Sequence, residues 1–377
     1  MPSEKERVAE LRSLVSPYLT SYYDTHFNLL RWIQAYPGAS IDQVANRLRQ
    51  HLLFRASDWK LDSMVEKERG YHPLHSFWPL HEVGMSGVIP NTIVVVEQSG
   101  YVDHLGIHEN FSHTEIFKAK LHDVEAMLAA VMKVEKETGE QASVMMVVDC
   151  EGFAYTKKLV DFMMGPMMSR GEFLLQHYAE LVSHIIFVNF PSWATVAWKM
   201  ITPLLPERTR EKFRILSSNW RDEITSLMDP SIGPSFWNDE KHKEFKTTMA
   251  RPPKVPRLEI KSPSEKLDKL HVKAGKEHWI EYYLEKGDAV DFHIMGNSSF
   301  GFSIVRVDGE EENDVFAMRP VFPLFASLHG PLKVPIEDRV VVPESGLYKM
   351  WFSNLRAWFS SVAIHHSIKV HKNQITV

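Results

Sequence analysis

Asp149 and Glu151 stand just past the apolar run Val144–Val148, and no other residues are as well spaced for acid–base chemistry. Ligands of an open α/β sheet usually sit outside the carboxyl ends of its strands. The same two positions also suit structure, because Asp149 can accept backbone N–H groups in the turn and Glu151 can favour a helix start. Histidine is the second reservoir, with 19 residues. His72, His75 and His81 form one group and His104, His108 and His113 another, both in stretches that read as loops. Neither has the H-E-x-x-H spacing that puts two ligands on one helix face. Hydrogen-bonded or solvated loop histidines are therefore expected, and no metal. His365 and His366, adjacent on a strand, point to opposite faces and cannot chelate one ion together. The single cysteine, Cys150, excludes a disulfide framework and any zinc site with two cysteine ligands. Glycine-rich phosphate loops and the G-x-S-x-G elbow are missing from the sequence. No catalytic residue and no cofactor are assigned. A hydrolase using Asp149 or Glu151 with a loop histidine is the enzymatic alternative.

The 377 residues carry a net charge of −5 and are 44% hydrophobic, which suits two or three globular domains and argues against a general nucleic-acid binder. The amino terminus is charged and lacks a signal-like apolar stretch. Nowhere do 18 apolar residues run together, so a cytoplasmic protein is expected. Residues 1–65 read as helices, with Pro37-Gly38 as a break. From about 70 to 240 short apolar runs alternate with helices: Ile93–Val96, a helix capped at Ser112, Val144–Val148, a helical stretch from Tyr155 to about Val182, Ile185–Phe190, and a helix over Trp193–Leu204. This is the pattern of an α/β sheet. Residues 241–266, with Pro252, Pro253, Pro256 and Pro263 among basic residues, read as a linker. Beyond it, 267–377 alternates with period two between glycine-containing turns, as in a small antiparallel β-sandwich.

The run Val144-Met-Met-Val-Val-Asp-Cys-Glu-Gly152 resembles the CRAL-TRIO lipid-binding family, in the branch holding phosphatidylinositol-transfer and tocopherol-associated proteins. The resemblance extends through Ile185-Ile-Phe-Val-Asn-Phe-Pro191, Ile201-Thr-Pro-Leu-Leu205 and Lys212-Phe-Arg-Ile-Leu216. Leu29–Ile33 and His51–Arg55 resemble the helical segment ahead of that domain. Gly301-Phe-Ser-Ile and Pro343–Tyr348 look like a GOLD β-sandwich. The order of these strings along nearly the whole chain carries the match.

The resemblance implies a carrier of one hydrophobic molecule, a phospholipid such as phosphatidylinositol or a tocopherol-like isoprenoid, held in a closed apolar cavity and exchanged at membranes. Exposing about 30 methylenes to water costs roughly 25 kcal/mol at ~0.8 kcal/mol each, so a free lipid needs such shelter. Met145, Met146, Val148, Phe153, Met163, Met164, Met167, Phe187 and Phe190 are the lining candidates. Trp198, Met200, Leu204 and Leu205 would belong to a mobile gate helix. Glu180 and Lys212 fall at two of the family's headgroup positions, and Arg55 precedes a third, where Ala56 replaces the expected lysine. The basic residues Arg251, Lys254, Arg257 and Lys261 are expected on a solvated tether. Trp351, Phe352, Trp358 and Phe359 are candidates for a protein-contact face on the sandwich. The alternative function is a scaffold whose sandwich recruits partners without lipid.

Overall fold

Ser3, Ser40 and Ser112 each precede a helix and close a reciprocal capping box with Glu6, Gln43 and Glu115. The computed structural model describes residues 3–67, 70–204, 207–256, 267–308 and 314–373. The helical prelude holds α1 (Glu4–Val15), α2 (His26–Ala35), α3 (Ile41–Arg55) and the single turns α4 (Leu61–Met64) and α5 (Leu74–Phe77). Then come β1 (Leu80–Met85), β2 (Thr92–Glu97), α6 (His104–Asn110), α7 (His113–Thr138) and β3 (Ser143–Asp149). The expected long helix is broken into α8 (Lys157–Phe162), one wide π turn at Met163–Met167 and α9 (Met168–His177). Pro166 sits inside that wide turn, where it lacks the N–H that a regular helix would use. The domain closes with β4 (Val182–Val188), α10 (Ala194–Ile201), α11 (Glu207–Glu211), β5 (Phe213–Ile215) and α12 (Trp220–Ile224).

The five strands form one sheet in the order β1-β2-β3-β4-β5. Strand β1 is antiparallel to β2, and the other pairs are parallel. The carboxyl-terminal strands are β6 (Asp268–Val272), β7 (Glu277–Leu284), β8 (Ala289–Gly296), β9 (Phe300–Arg306), β10 (Arg319–Leu328), β11 (Ile336–Val341), β12 (Gly346–Ser353) and β13 (Val362–His371). They form two antiparallel four-stranded sheets, β10-β9-β12-β7 and β11-β8-β13-β6, whose inner faces share one core. The fold is thus α/β with N-terminal helices followed by an antiparallel β-sandwich, as the periodicities imply.

The sandwich does not hang on a free tether. Its core runs on into Phe54, Trp59, Phe117, Leu121 and Phe173 of the helical and α/β layers. Ring pairs cross the boundary, Trp59 with Phe322 at 5.5 Å and Phe117 with Phe325 at 4.9 Å. The Ser169 hydroxyl donates to Ser327 O at 2.9 Å, and Lys118 pairs with Asp338 at 2.6 Å. Over 241–256 the expected linker lies against the α/β layer, with Phe245, Pro252 and Val255 buried. Arg251 is spent there on Glu151 at 2.7 Å and on the rings of Tyr101 and Phe236. Lys254 is exposed, while Arg257 and Lys261 lie outside the described residues. Proline content suggested a tether, but a chain that buries Phe245 gains more by packing than by remaining solvated.

Candidate functional site

Alternation along β3 and β4 divides the α/β sheet into two unlike faces. On one, Met145, Val147, Ile186 and Val188 join Val94 and Val96 in a closed core with Trp220, Trp237 and Phe245. On the other, register sets Met146 beside Ile185, Val148 beside Phe187, and Ile185 beside Phe213. Of these only Val148 is buried; Met146, Ile185, Phe187 and Phe213 are each partly exposed. Strand β4, expected to be wholly buried, is thus half open. Phe187 stacks on Phe213 at 6.0 Å and packs on Phe190 at 5.4 Å, and Trp198 of α10 reaches both Phe187 and Phe213 at 5.8 and 5.0 Å. Helix α10 lies over this face, with Ala194 buried and Val196 turned to solvent.

The lining candidates therefore separate. Met146, Val148, Phe187 and Phe190 lie on or beside the half-open face, whereas Met145 sits in the closed core behind it. Met163 and Met167 are partly exposed in the wide turn, and Phe153 stacks on His104 at 6.0 Å. The side chains of Met164, Met200 and Leu204, and the whole of Leu205, lie outside the described residues.

The headgroup candidates separate too. Glu180 occupies a left-handed turn (φ 51°) before β4, and pairing of β5 with β4 brings Lys212 within 3.0 Å of its carboxylate. Arg208 holds the other oxygen at 2.9 Å. Arg55 does not join them. It is buried, makes two bonds to Glu125 at 2.8 and 2.9 Å and a third to Asp62 at 2.6 Å, and its charge is fully used inside the helical layer. Tyr178 donates to the same Glu125 at 2.6 Å.

Asp149 is engaged structurally. Its Oδ2 accepts from Trp237 Nε1 at 2.8 Å, and its Oδ1 from Asn189 Nδ2 and the Glu151 amide at 2.9 and 3.0 Å. The turns ending β2 and β3 meet so closely that a Cβ on Gly100 would lie 1.9 Å from Glu151 O. Glu151 pairs with Arg251 instead of starting a helix. Burial pushes the Cys150 thiol up, reinforced by Asp149 and Glu97, so it is no ready nucleophile.

The histidines overturn the loop expectation. His104 and His108 lie on α6, behind an Asp103 N-cap, and His113 opens α7. All three are buried, and burial drives them down: His104 to about 3, His113 to about 4 and His108 well below 6.5. The signal was in the sequence, since His104 and His108 are i, i+4 behind a capping aspartate. His75 has candidate ligand atoms within 4.8 Å of those of His122 and Asp123 from α7, while His72 touches it only ring to ring at 6.5 Å. Lys120 supplies that aspartate's counter-charge at 2.7 Å. Among the described residues no helix is long and apolar enough to cross a membrane. Trp351 and Phe352 are both core, while Trp358 and Phe359 stand 86% and 97% exposed between β12 and β13.

Comparison with known proteins agrees with the architecture. Residues 91–238 match the CRAL/TRIO domain family, residues 253–376 a family described as an F28H7.8-like C-terminal domain, and residues 2–64 a domain of unknown function (DUF8435). The chain is 26% identical over 294 residues to the CRAL-TRIO domain-containing protein F28H7.8 of Caenorhabditis elegans, a match that covers 74% of this chain and 70% of that protein. It is 22% identical over 393 residues to protein ctg-1 of the same organism, covering 97% and 96%. Among solved structures, Sfh5 matches with 15% identity and a TM-score of 0.47, over 66% of this chain and 92% of that one. Residues 91–238 are thus similar to CRAL-TRIO domains, and residues 253–376 to F28H7.8-like C-terminal domains.

Proposed function

We propose that the protein binds a single hydrophobic molecule on the half-open face of the α/β sheet, beneath α10, and exchanges it at membranes from the cytoplasm. One observation carries this reading: Ile185, Phe187, Phe213 and Trp198 form an apolar surface that is neither packed shut nor polar. In a domain with two closed cores available, such a surface is retained at a cost unless a ligand covers it. The CRAL/TRIO match over 91–238 supports lipid as the class of ligand. Helix α10 is the proposed gate, because it covers that face through Trp198 and is bounded by short turns. Trp358 and Phe359 are the proposed membrane anchor, since large aromatics at an exposed tip suit the headgroup level of a bilayer. The sandwich is proposed to be GOLD-like, with protein contacts as a further role.

Native mass spectrometry of gently extracted protein tests the central claim. One lipid per chain is expected, and protein released without any hydrophobic guest would count against carriage. Phosphatidylinositol is the second reading, and it rests on Glu180 and Lys212. With Arg208 beside them the group has one net positive charge, suited to a phosphate. Lys212→Ala is then expected to slow phosphatidylinositol transfer while sparing phosphatidylcholine. Equal loss of both would remove that headgroup assignment.

A further inference from the structure

Buried polar atoms without hydrogen-bond partners gather around Trp78. The indole is 1% exposed and its Nε1 has no acceptor. Two cations cover its ring, the Lys120 ammonium at 4.7 Å and the Arg170 guanidinium at 4.3 Å. Lys120 is paired with Asp123 at 2.7 Å and lies 3.9 Å from Glu97. Arg170 is different. It is 8% exposed, its Nη1 is buried without a partner, and it forms no ion pair among the described residues. Glu97 acts on it only at longer range, and burial depresses its pKa to about 10.

The neighbours extend the same pattern. His104 turns Nε2 to Ser99 O at 3.1 Å and leaves Nδ1 unpartnered, and His108 Nε2 is unpartnered as well. Both imidazoles are neutral at physiological pH, so they add hydrogen-bonding capacity and no charge. This buried polar cluster borders apolar side chains. Phe162 packs on His104 at 5.2 Å and on His108 at 4.7 Å, and the partly exposed Met163 follows it directly. Water can satisfy N–H groups in such a place, but it brings no counter-charge to a buried guanidinium.

We infer that this cluster seats an anionic oxygen group, carboxylate or phosphate, attached to the hydrocarbon guest. Arg170 forms the ion pair, while Trp78 Nε1 and His108 donate hydrogen bonds. The inference rests on the proposed carriage of a hydrophobic molecule and adds its chemical class. A neutral isoprenoid leaves the guanidinium unpaired, and an ammonium headgroup sets like charge against it.

The test uses delipidated full-length protein and two matched pairs, oleate with oleyl alcohol and dioleoyl phosphatidic acid with dioleoylglycerol, scored by displacement of a fluorescent lipid. In at least one pair the acid is expected to bind about tenfold tighter than its neutral partner, the size of one charge-assisted contact. Arg170→Gln should bring that ratio to about one without weakening the neutral lipid, whereas Arg170→Lys keeps part of it. Trp78→Phe, which removes only the indole N–H, should lower the ratio while circular dichroism confirms the fold. Lys254→Ala, at an exposed position of the 241–256 segment, should leave the ratio unchanged. Equal wild-type affinities within both pairs, or a preference that survives Arg170→Gln or is lost equally with Lys254→Ala, would overturn the inference. Displacement of the acid by millimolar inorganic phosphate would overturn its attachment to hydrocarbon. Failure of all four lipids to bind would strike instead at carriage itself.

Discussion

The two faces of the α/β sheet use the same residue types to opposite ends. Behind the sheet, Met145, Val147, Ile186 and Val188 meet Trp220, Trp237 and Phe245, and the buried Asp149 has its oxygens bonded by Trp237, Asn189 and the Glu151 amide. In front, Ile185, Phe187 and Phe213 remain partly open, with Trp198 of one short helix over Phe187 and Phe213. The closed face is covered by a continuous segment, residues 216–249, whose aromatic rings interlock at 5.2 and 5.6 Å. The open face has nothing comparable over its β4–β5 end. Composition alone does not distinguish a core from a binding surface; the supply of covering chain does.

Breaking the closed face should have the largest effect on stability. Trp237→Ala removes a buried ring and leaves Asp149 without one of its donors, so a loss of about 3–5 kcal/mol is expected by denaturant unfolding. A loss under 1 kcal/mol would show that residues 216–249 are not a structural lid. The buried histidines give the next effect. His104 and His113 have folded pKa values near 3 and 4 against 6.5 for the free side chain, so the unfolded chain takes up protons first as pH falls. Stability is therefore whole above pH 6.5 and declines by about 1 kcal/mol per pH unit per histidine down toward those folded values. Thermal melts of lipid-free protein from pH 7 to pH 5 should show the decline, and His104→Gln should flatten it.

The open face should respond differently. Phe187→Ala is expected to cost about 1 kcal/mol or less, because a partly exposed ring forfeits little packing, yet lipid exchange between vesicles should fall several-fold. If it destabilises as much as Trp237→Ala, the distinction between the faces fails. The smallest effect on stability, within about 0.5 kcal/mol, is expected for Trp358→Ser with Phe359→Ser, which touch no core. Flotation with vesicles should nonetheless lose most of the bound protein.

Much of this was readable before any coordinates. Ser112 with Glu115 announced α7, Val144–Val148 announced β3, and the alternation at Trp279–Leu284 and Ala289–Ile294 announced sandwich strands. Strands β1, β5, β6, β10 and β11 were not read: four of them are runs of three to six residues with little periodicity of their own, and Pro320 and Pro323 interrupt the ten residues of β10. Glu180 and Lys212 were matched by motif and do meet, whereas Arg55, matched the same way, is neutralised by Glu125, seventy residues away.

Local order settled the elements of this protein: where helices start, which strands are apolar and where the α/β pattern yields to period two. These depend on neighbours along the chain, within reach of a turn or a cap. Which methionine faces a core and which a cleft, why 241–256 packs instead of dangling, and that Arg170 is buried beside three neutral histidines were decided by the tertiary structure alone. Burial and charge compensation depend on segments that meet only when the chain has folded, and a residue's type does not say what will cover it.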